Sequence, residues 1–219
     1  TQCINELMRS VIKLEKKTNI LQNLDALEGR RFLLRMLSAS VDAFVEHIDA
    51  DRPQFRHSES PYRKMFGDCP DADYLQAPID LRNGRKYRVN GNIPDGTNYV
   101  GVMLYGRGGR IGVCMTDEQL KIDPGGNFEV LISANSKDNP DLRGQGDEHL
   151  VMVRQYFTNR NSQPAMDLNV EYLGEVNPSE PLDSVWLAKR IDLSRRMLES
   201  IFMRTLDAYG RISKFPKNR

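Results

Sequence analysis

Residues 59–80 of this chain gather the side chains that acid–base chemistry uses. Glu59, Asp68, Asp71, Asp73 and Asp80 surround Arg63 and Lys64, with Tyr62 and Tyr74 between them. A carboxylate taken out of water gains a raised pKa and becomes a useful base, a neighbouring arginine lowers it again, and a tyrosine hydroxyl can donate to a developing oxyanion. On this reading Asp73 is the base, Tyr74 or Tyr156 the oxyanion partner, and Arg63 or Arg154 the orienting cation. His57, Lys64, Asp68, Asp71 and Arg88 complete a ligand-binding set. The chemistry expected is isomerisation, cyclisation or elimination on a small organic metabolite. The competing reading is structural, with the acids capping turns and pairing with Arg63, Lys64, Arg88 or Arg154.

Other signatures are weaker. Asp68, Asp71 and Asp73 offer hard oxygen ligands of the kind calcium takes, but the spacing lacks the glycine and later glutamate of an EF-hand loop, so no metal and no cofactor is expected. The glycine-rich run 106–112 lacks the Lys-Ser/Thr of a phosphate loop and reads as a hairpin connection. No Gly-x-Ser-x-Gly elbow is present, which disfavours a serine hydrolase of that kind. His47, His57 and His149 are scattered; His47 ends a helix, where the dipole favours a cation, and His57 stands beside Glu59. Cys3, Cys69 and Cys114 are odd in number and far apart, arguing against both a disulfide framework and a thiolate zinc site, and a reducing cytoplasm is the simplest expectation.

These residues must be held by three kinds of segment. From 4 to 49, apolar residues recur at helical spacing, with a bend or restart at Thr18-Asn19 and a break expected at Gly29; Pro53 closes the region. From 84 to 173 the pattern is of strands: 86–91, 98–105, 110–114, 127–133, 149–157 and 165–172, separated by turn residues and without intervening helices. That organisation favours an antiparallel sandwich or barrel over a parallel sheet. The 149–157 strand is apolar on both faces near its start, which predicts a central position. Its alternation puts Leu150, Met152, Arg154 and Tyr156 on one face, where a half-buried Arg154 calls for an acid partner. From 183 to 208 a helix returns, capped by Asp183 and packed on the sandwich, and the basic tail 211–219 follows. The fold class is α+β: an antiparallel β-sandwich with N-terminal helices and a C-terminal helix, divided at 1–53, 54–175 and 176–219.

Within this frame the middle of the chain resembles the bacterial proteins grouped as domain of unknown function 1214. The shared pattern is carried by Arg63-Lys64, Gly67-Asp-Cys-Pro-Asp-Ala72, Ile79-Asp80, Tyr87-Arg-Val-Asn-Gly91 and Arg154-Gln-Tyr-Phe157, over roughly residues 30 to 175. The resemblance implies a jelly-roll-like β-sandwich with helical additions and transfers no catalytic residues. Cys69 departs from the asparagine usual there, and many of the family continue into a further β-rich part.

Composition narrows the partners. The 219 residues suffice for a full core, and 31 basic against 30 acidic residues create no field to draw in nucleic acid. No apolar run approaches the roughly 20 residues of a membrane span, and the N-terminus lacks the order of a signal peptide. The expected partner is a small organic ligand. The alternative is a non-catalytic subunit that assembles as a homo-oligomer, or with a partner protein, through its terminal helices. Carbohydrate binding at the sandwich surface has only the single Trp186, on a helix, behind it.

Overall fold

A computed structural model of the chain describes residues 2–21, 23–46, 48–60, 63–65, 67–178 and 181–212. His47, Tyr62 and the tail beyond 212 lie outside the described residues. Two units emerge, one of residues 1–47 with 180–219, the other of residues 48–179.

The first unit is helical. α1 (Gln2–Lys17) passes through a 3₁₀ turn at Thr18–Ile20 into α2 (Asn23–Val41), whose end widens into a π-helical stretch, Asp42–Glu46. The restart falls where Thr18-Asn19 predicts it. The break expected at Gly29 does not occur: α2 runs through it, and a Cβ there would stand 3.1 Å from Leu21 Cδ1 and 3.2 Å from Thr18 Cγ2. Gly29 thus serves close packing against the inter-helix turn. α3 (Ser184–Ile212) begins where Asp183 Oδ1 accepts from Trp186 N at 2.7 Å. Ile191, Ser194, Leu198, Ile201 and Phe202 form its buried stripe. Its described contacts are with α1 and α2: Ser10 donates to Glu199, Ser194 Oγ donates to Ser40 O, Tyr209 donates to Asp25, and Phe32 stacks on Phe202. Its stripe completes a helical unit with the N-terminal pair. None of the helices is long and apolar enough to cross a membrane, among the described residues.

Among its described residues the second unit contains nine strands: β1 (Arg56–His57), β2 (Ala72–Pro78), β3 (Lys86–Asn92), β4 (Thr97–Gly106), β5 (Arg110–Thr116), β6 (Asn127–Ser133), β7 (Leu142–Arg143), β8 (Leu150–Phe157) and β9 (Asp167–Tyr172). They form a five-stranded sheet ordered β1-β2-β8-β4-β5 and a four-stranded sheet ordered β7-β6-β3-β9. Every pairing is antiparallel except β6 with β7. The chain changes sheet at five of the eight connections, staying within one from β1 to β2, β4 to β5 and β6 to β7. This is the jelly-roll-like sandwich, open at its edges. The core lies between the sheets, with Ala77, Val100, Val102, Leu104, Val151 and Val153 from one and Tyr87, Val89, Val130, Ile132 and Val170 from the other. Each of the valine, leucine and isoleucine side chains among them contributes about 1.5–3 kcal/mol on burial.

β8 is central, between β2 and β4, as its two apolar faces require. β2, within the segment that sequence marks only as short extended pieces, pairs with it along its whole length. The glycine-rich run closes the β4–β5 hairpin, where Gly108 and Gly109 take φ of 70° and 76° that a side chain would resist.

Candidate functional site

Strand parity decides which of the candidate residues can act together. In the β2–β8 ladder, Asp73 faces Gln155 while Tyr74 faces Arg154. Directly paired residues share a face, and successive residues point to opposite ones. Asp73 therefore shares the inner side with Ala77, Val151 and Val153, and Tyr74 shares the outer side with Arg154. A base at Asp73 and an oxyanion donor at Tyr74 cannot serve one substrate across the thickness of a sheet. Asp73 is buried and ion-paired to Arg160, with His57 Nε2 at 3.6 Å from its other oxygen. Arg160 also stacks over Phe157 at 5.1 Å. This cluster fastens the edge of the sandwich.

The other predicted residues divide. Arg63 Nε donates to Ser58 O at 2.6 Å and Nη2 to His57 O at 3.0 Å, so its guanidinium shapes the loop after β1. Asp68 accepts from Met65 N at 2.7 Å, and Lys64 reaches the Asp68 carbonyl at 3.4 Å. Asp71 is exposed at the head of β2. Arg88 lies on the four-stranded sheet between Glu129 at 3.2 Å and Glu171 at 3.4 Å, a cross-strand ion pair outside the site. No three acids, histidines or cysteines among the described residues form a metal-sized cluster.

What the fold does assemble is the outer face of the five-stranded sheet. Along β8 it presents Leu150, Met152, Arg154 and Tyr156, flanked by Pro78, Gln76, Tyr74 and Ala72 of β2 and by Tyr105, Met103, Gly101 and Tyr99 of β4. Four tyrosines share this face with one arginine. Gly101 sits beside Arg154 because the Tyr99 ring folds over it; a Cβ there would meet the Tyr99 hydroxyl at 2.7 Å. Tyr99 packs edge-on against Tyr156 at 5.4 Å. Tyr74 also accepts from Cys69 N at 3.0 Å, which ties the acidic segment to this face. Tyr105 reaches Met152 Sδ at 3.8 Å.

Arg154 does not have the acid partner that sequence calls for. It is half-buried, its Nη2 lies 3.6 Å from Met103 Sδ, its Nε has no acceptor, and no carboxylate among the described residues pairs with it. A buried N–H without an acceptor is costly. Burial, helped by Tyr156, pushes Tyr74 up to about 12, and burial also raises Tyr99 and Tyr105.

Glu59 is the residue that sequence reasoning named but did not place in the site. It is 6% exposed and accepts from Ser58 and from Gln76 Nε2 at 3.1 Å, with Gln76 on the outer face next to Tyr74. Burial pushes its carboxyl up, and the Asp68 charge adds to that while Arg63 opposes it. A shallow open hollow of about 460 Å³ lies elsewhere, between Leu81–Gly84, Ala134, Asn135 and Gly146, without unpaired charge.

Comparison with protein-family models finds no match, and no curated protein matches. Among solved structures, the fold is similar to that of an uncharacterized protein from Burkholderia cenocepacia, with 24% sequence identity and a TM-score of 0.81. The match covers 92% of this chain and 58% of that one, so this chain spans a little over half the length of the Burkholderia protein. The VPA0106 protein from Vibrio parahaemolyticus aligns more weakly, at 19% identity and a TM-score of 0.43, over 53% of this chain and 34% of that one. The first likeness shows the fold alone.

Proposed function

We propose that this protein binds a small organic anion on the outer face of its five-stranded sheet and handles protons there, as an isomerase, cyclase or lyase does. Arg154, half-buried without a carboxylate, carries this reading. Its guanidinium supplies the charge for an oxyanion group, and the hydroxyls of Tyr74, Tyr99 and Tyr156 supply hydrogen-bond donors to charge that develops beside it. Glu59, with its raised pKa, takes the proton-transfer role that sequence gave to Asp73. The test is calorimetric titration with a panel of small carboxylates, followed by proton–deuterium exchange at their carbon acids in heavy water. Arg154→Gln should abolish binding, Glu59→Gln should retain binding but lose exchange, and Asp73→Asn should retain both. Equal binding by wild type and Arg154→Gln would overturn the reading.

The subunit reading keeps one specific support. Ile4, Met8 and Ile12 on α1, and Leu24, Leu27 and Leu34 on α2, are 47–68% exposed. Assembly through the terminal helices predicts a concentration-dependent mass in sedimentation, abolished by Ile12→Glu with Leu27→Glu. We further propose that the chain belongs with the group called domain of unknown function 1214, supported by the motifs quoted above, and acts in a reducing cytoplasm, supported by three free cysteines.

A further inference from the structure

The two units differ in charge although the whole chain is nearly neutral. Residues 1–47 with 180–219 carry 16 basic against 11 acidic residues, and residues 48–179 carry 15 against 19. Four cations of the helical unit, Arg9, Lys13, Lys16 and Lys17, follow one side of α1, and no carboxylate among the described residues pairs with them. Arg9, Lys13 and Lys16 are exposed. Next to them run Ile4, Met8 and Ile12, four residues apart and 47–54% exposed. Leu7, Ser10 and Leu14 make the buried stripe, so α1 divides into a core face, an exposed apolar face and a basic face.

The exposed apolar face continues onto α2. Glu15 accepts from Arg30 Nε at 2.8 Å. On α1, Glu15 follows Ile12 by three residues and Met8 by seven; on α2, Arg30 lies three after Leu27 and four before Leu34. Residues at these spacings share one side of a helix. The ion pair therefore joins Met8 and Ile12 to Leu27 and Leu34, which are 60% and 62% exposed, in one surface. We infer that this surface docks on an anionic lipid bilayer, its aliphatic side chains entering the headgroup–acyl boundary and its four cations resting on the phosphates. The inference goes beyond the anion reading and gives the face named in the subunit reading a different occupant.

Charge and apolarity argue for it together. Isolated exposed leucines are ordinary, but a contiguous row across two helices marks an interaction surface. A nucleic acid would answer the cations and leave the aliphatic side chains in water. A second copy meeting this face by two-fold symmetry would bring together two units of the same net sign. An anionic membrane surface answers both features at once, because it offers hydrocarbon beneath negative headgroups.

The experiment is flotation of the full chain with large unilamellar vesicles of phosphatidylcholine, with and without phosphatidylglycerol. The chain should float with the anionic vesicles and not with phosphatidylcholine alone, and high salt should release it. Arg9→Gln with Lys13→Gln should weaken binding about fivefold for each charge removed, hence about 25-fold. Met8→Ser with Ile12→Ser should weaken it about tenfold or more and keep its salt dependence. Arg9→Gln with Lys13→Gln should leave carboxylate binding on the outer sheet face unchanged, which separates this inference from that reading. Urea unfolding of each variant separates a lost surface from a lost fold. Equal flotation with both kinds of vesicle, flotation with neither, or undiminished binding by both double variants would overturn the inference. A concentration-dependent mass without flotation would also overturn it and assign the face to a second copy.

Discussion

Tyr74 lies directly across the β2–β8 ladder from Arg154, one place along from the pair Asp73 and Gln155. That one-residue offset puts the phenol and the guanidinium on the outer face and the carboxylate on the inner one. It separates a site from a fastening, and the two respond differently to mutation.

The Nε of Arg154 is buried without an acceptor, which costs the fold stability. Replacing Arg154 with methionine should leave stability unchanged or raise it by up to about 2 kcal/mol, while anion binding is lost. Urea denaturation checks this; a loss above about 1 kcal/mol would mean the guanidinium has a structural partner.

Asp73 should behave in the opposite way. Asp73→Asn weakens the ion pair with Arg160 and should destabilise the sandwich by about 1–3 kcal/mol. Ligand binding on the outer face should not change, and parallel calorimetry and unfolding will separate the two effects.

Glu59 makes stability depend on pH in a defined direction. Its folded pKa is raised, so the native state holds the proton more tightly than the unfolded chain does. Its contribution is full below the ordinary glutamate value of about 4.3 and is lost as pH rises through the folded value. Glu59→Gln should therefore gain on wild type as pH increases from 4 to 8. A constant difference across that range would contradict the assignment.

Glu148 should show the reverse. Its buried carboxylate accepts from Gln145 N and Gly146 N, each at 2.9 Å, and is reached by Arg110 at 3.4 Å. Despite burial, these donors hold its pKa below the usual range. Stability from this group is present above about pH 4.3 and lost as pH falls through the folded value. Glu148→Ala, leaving two backbone donors unanswered, should cost about 3 kcal/mol at neutral pH and less in acid. Unfolding curves at pH 7 and pH 3 provide the comparison.

Much of the architecture was legible in the chain itself. Strand alternation gave β3 to β6, β8 and β9 nearly to the residue, and the apolar start of β8 gave its central place, because a sheet's period of two is written directly into side-chain order. Asp183 announced the start of α3, since an N-cap is a local interaction. The same alternation in β4 separates Tyr99, Gly101, Met103 and Tyr105 from Val100, Val102 and Leu104, and that signal would have pointed to the outer face.

Local order could not say which cation lacks an anion. Proximity in the chain suggested Asp73 with Tyr74 and Arg63, yet neighbours in a strand point apart, and Arg63 turns back to its own loop. Arg88 and Arg154 each sit in a strand among apolar residues and look alike in sequence. Register alone gives Arg88 two glutamates from adjoining strands and surrounds Arg154 with phenols and thioethers. Sequence thus fixed the face each side chain takes, because that depends on adjacent peptide units. Tertiary structure decided what meets it there, because pairing joins residues dozens of positions apart.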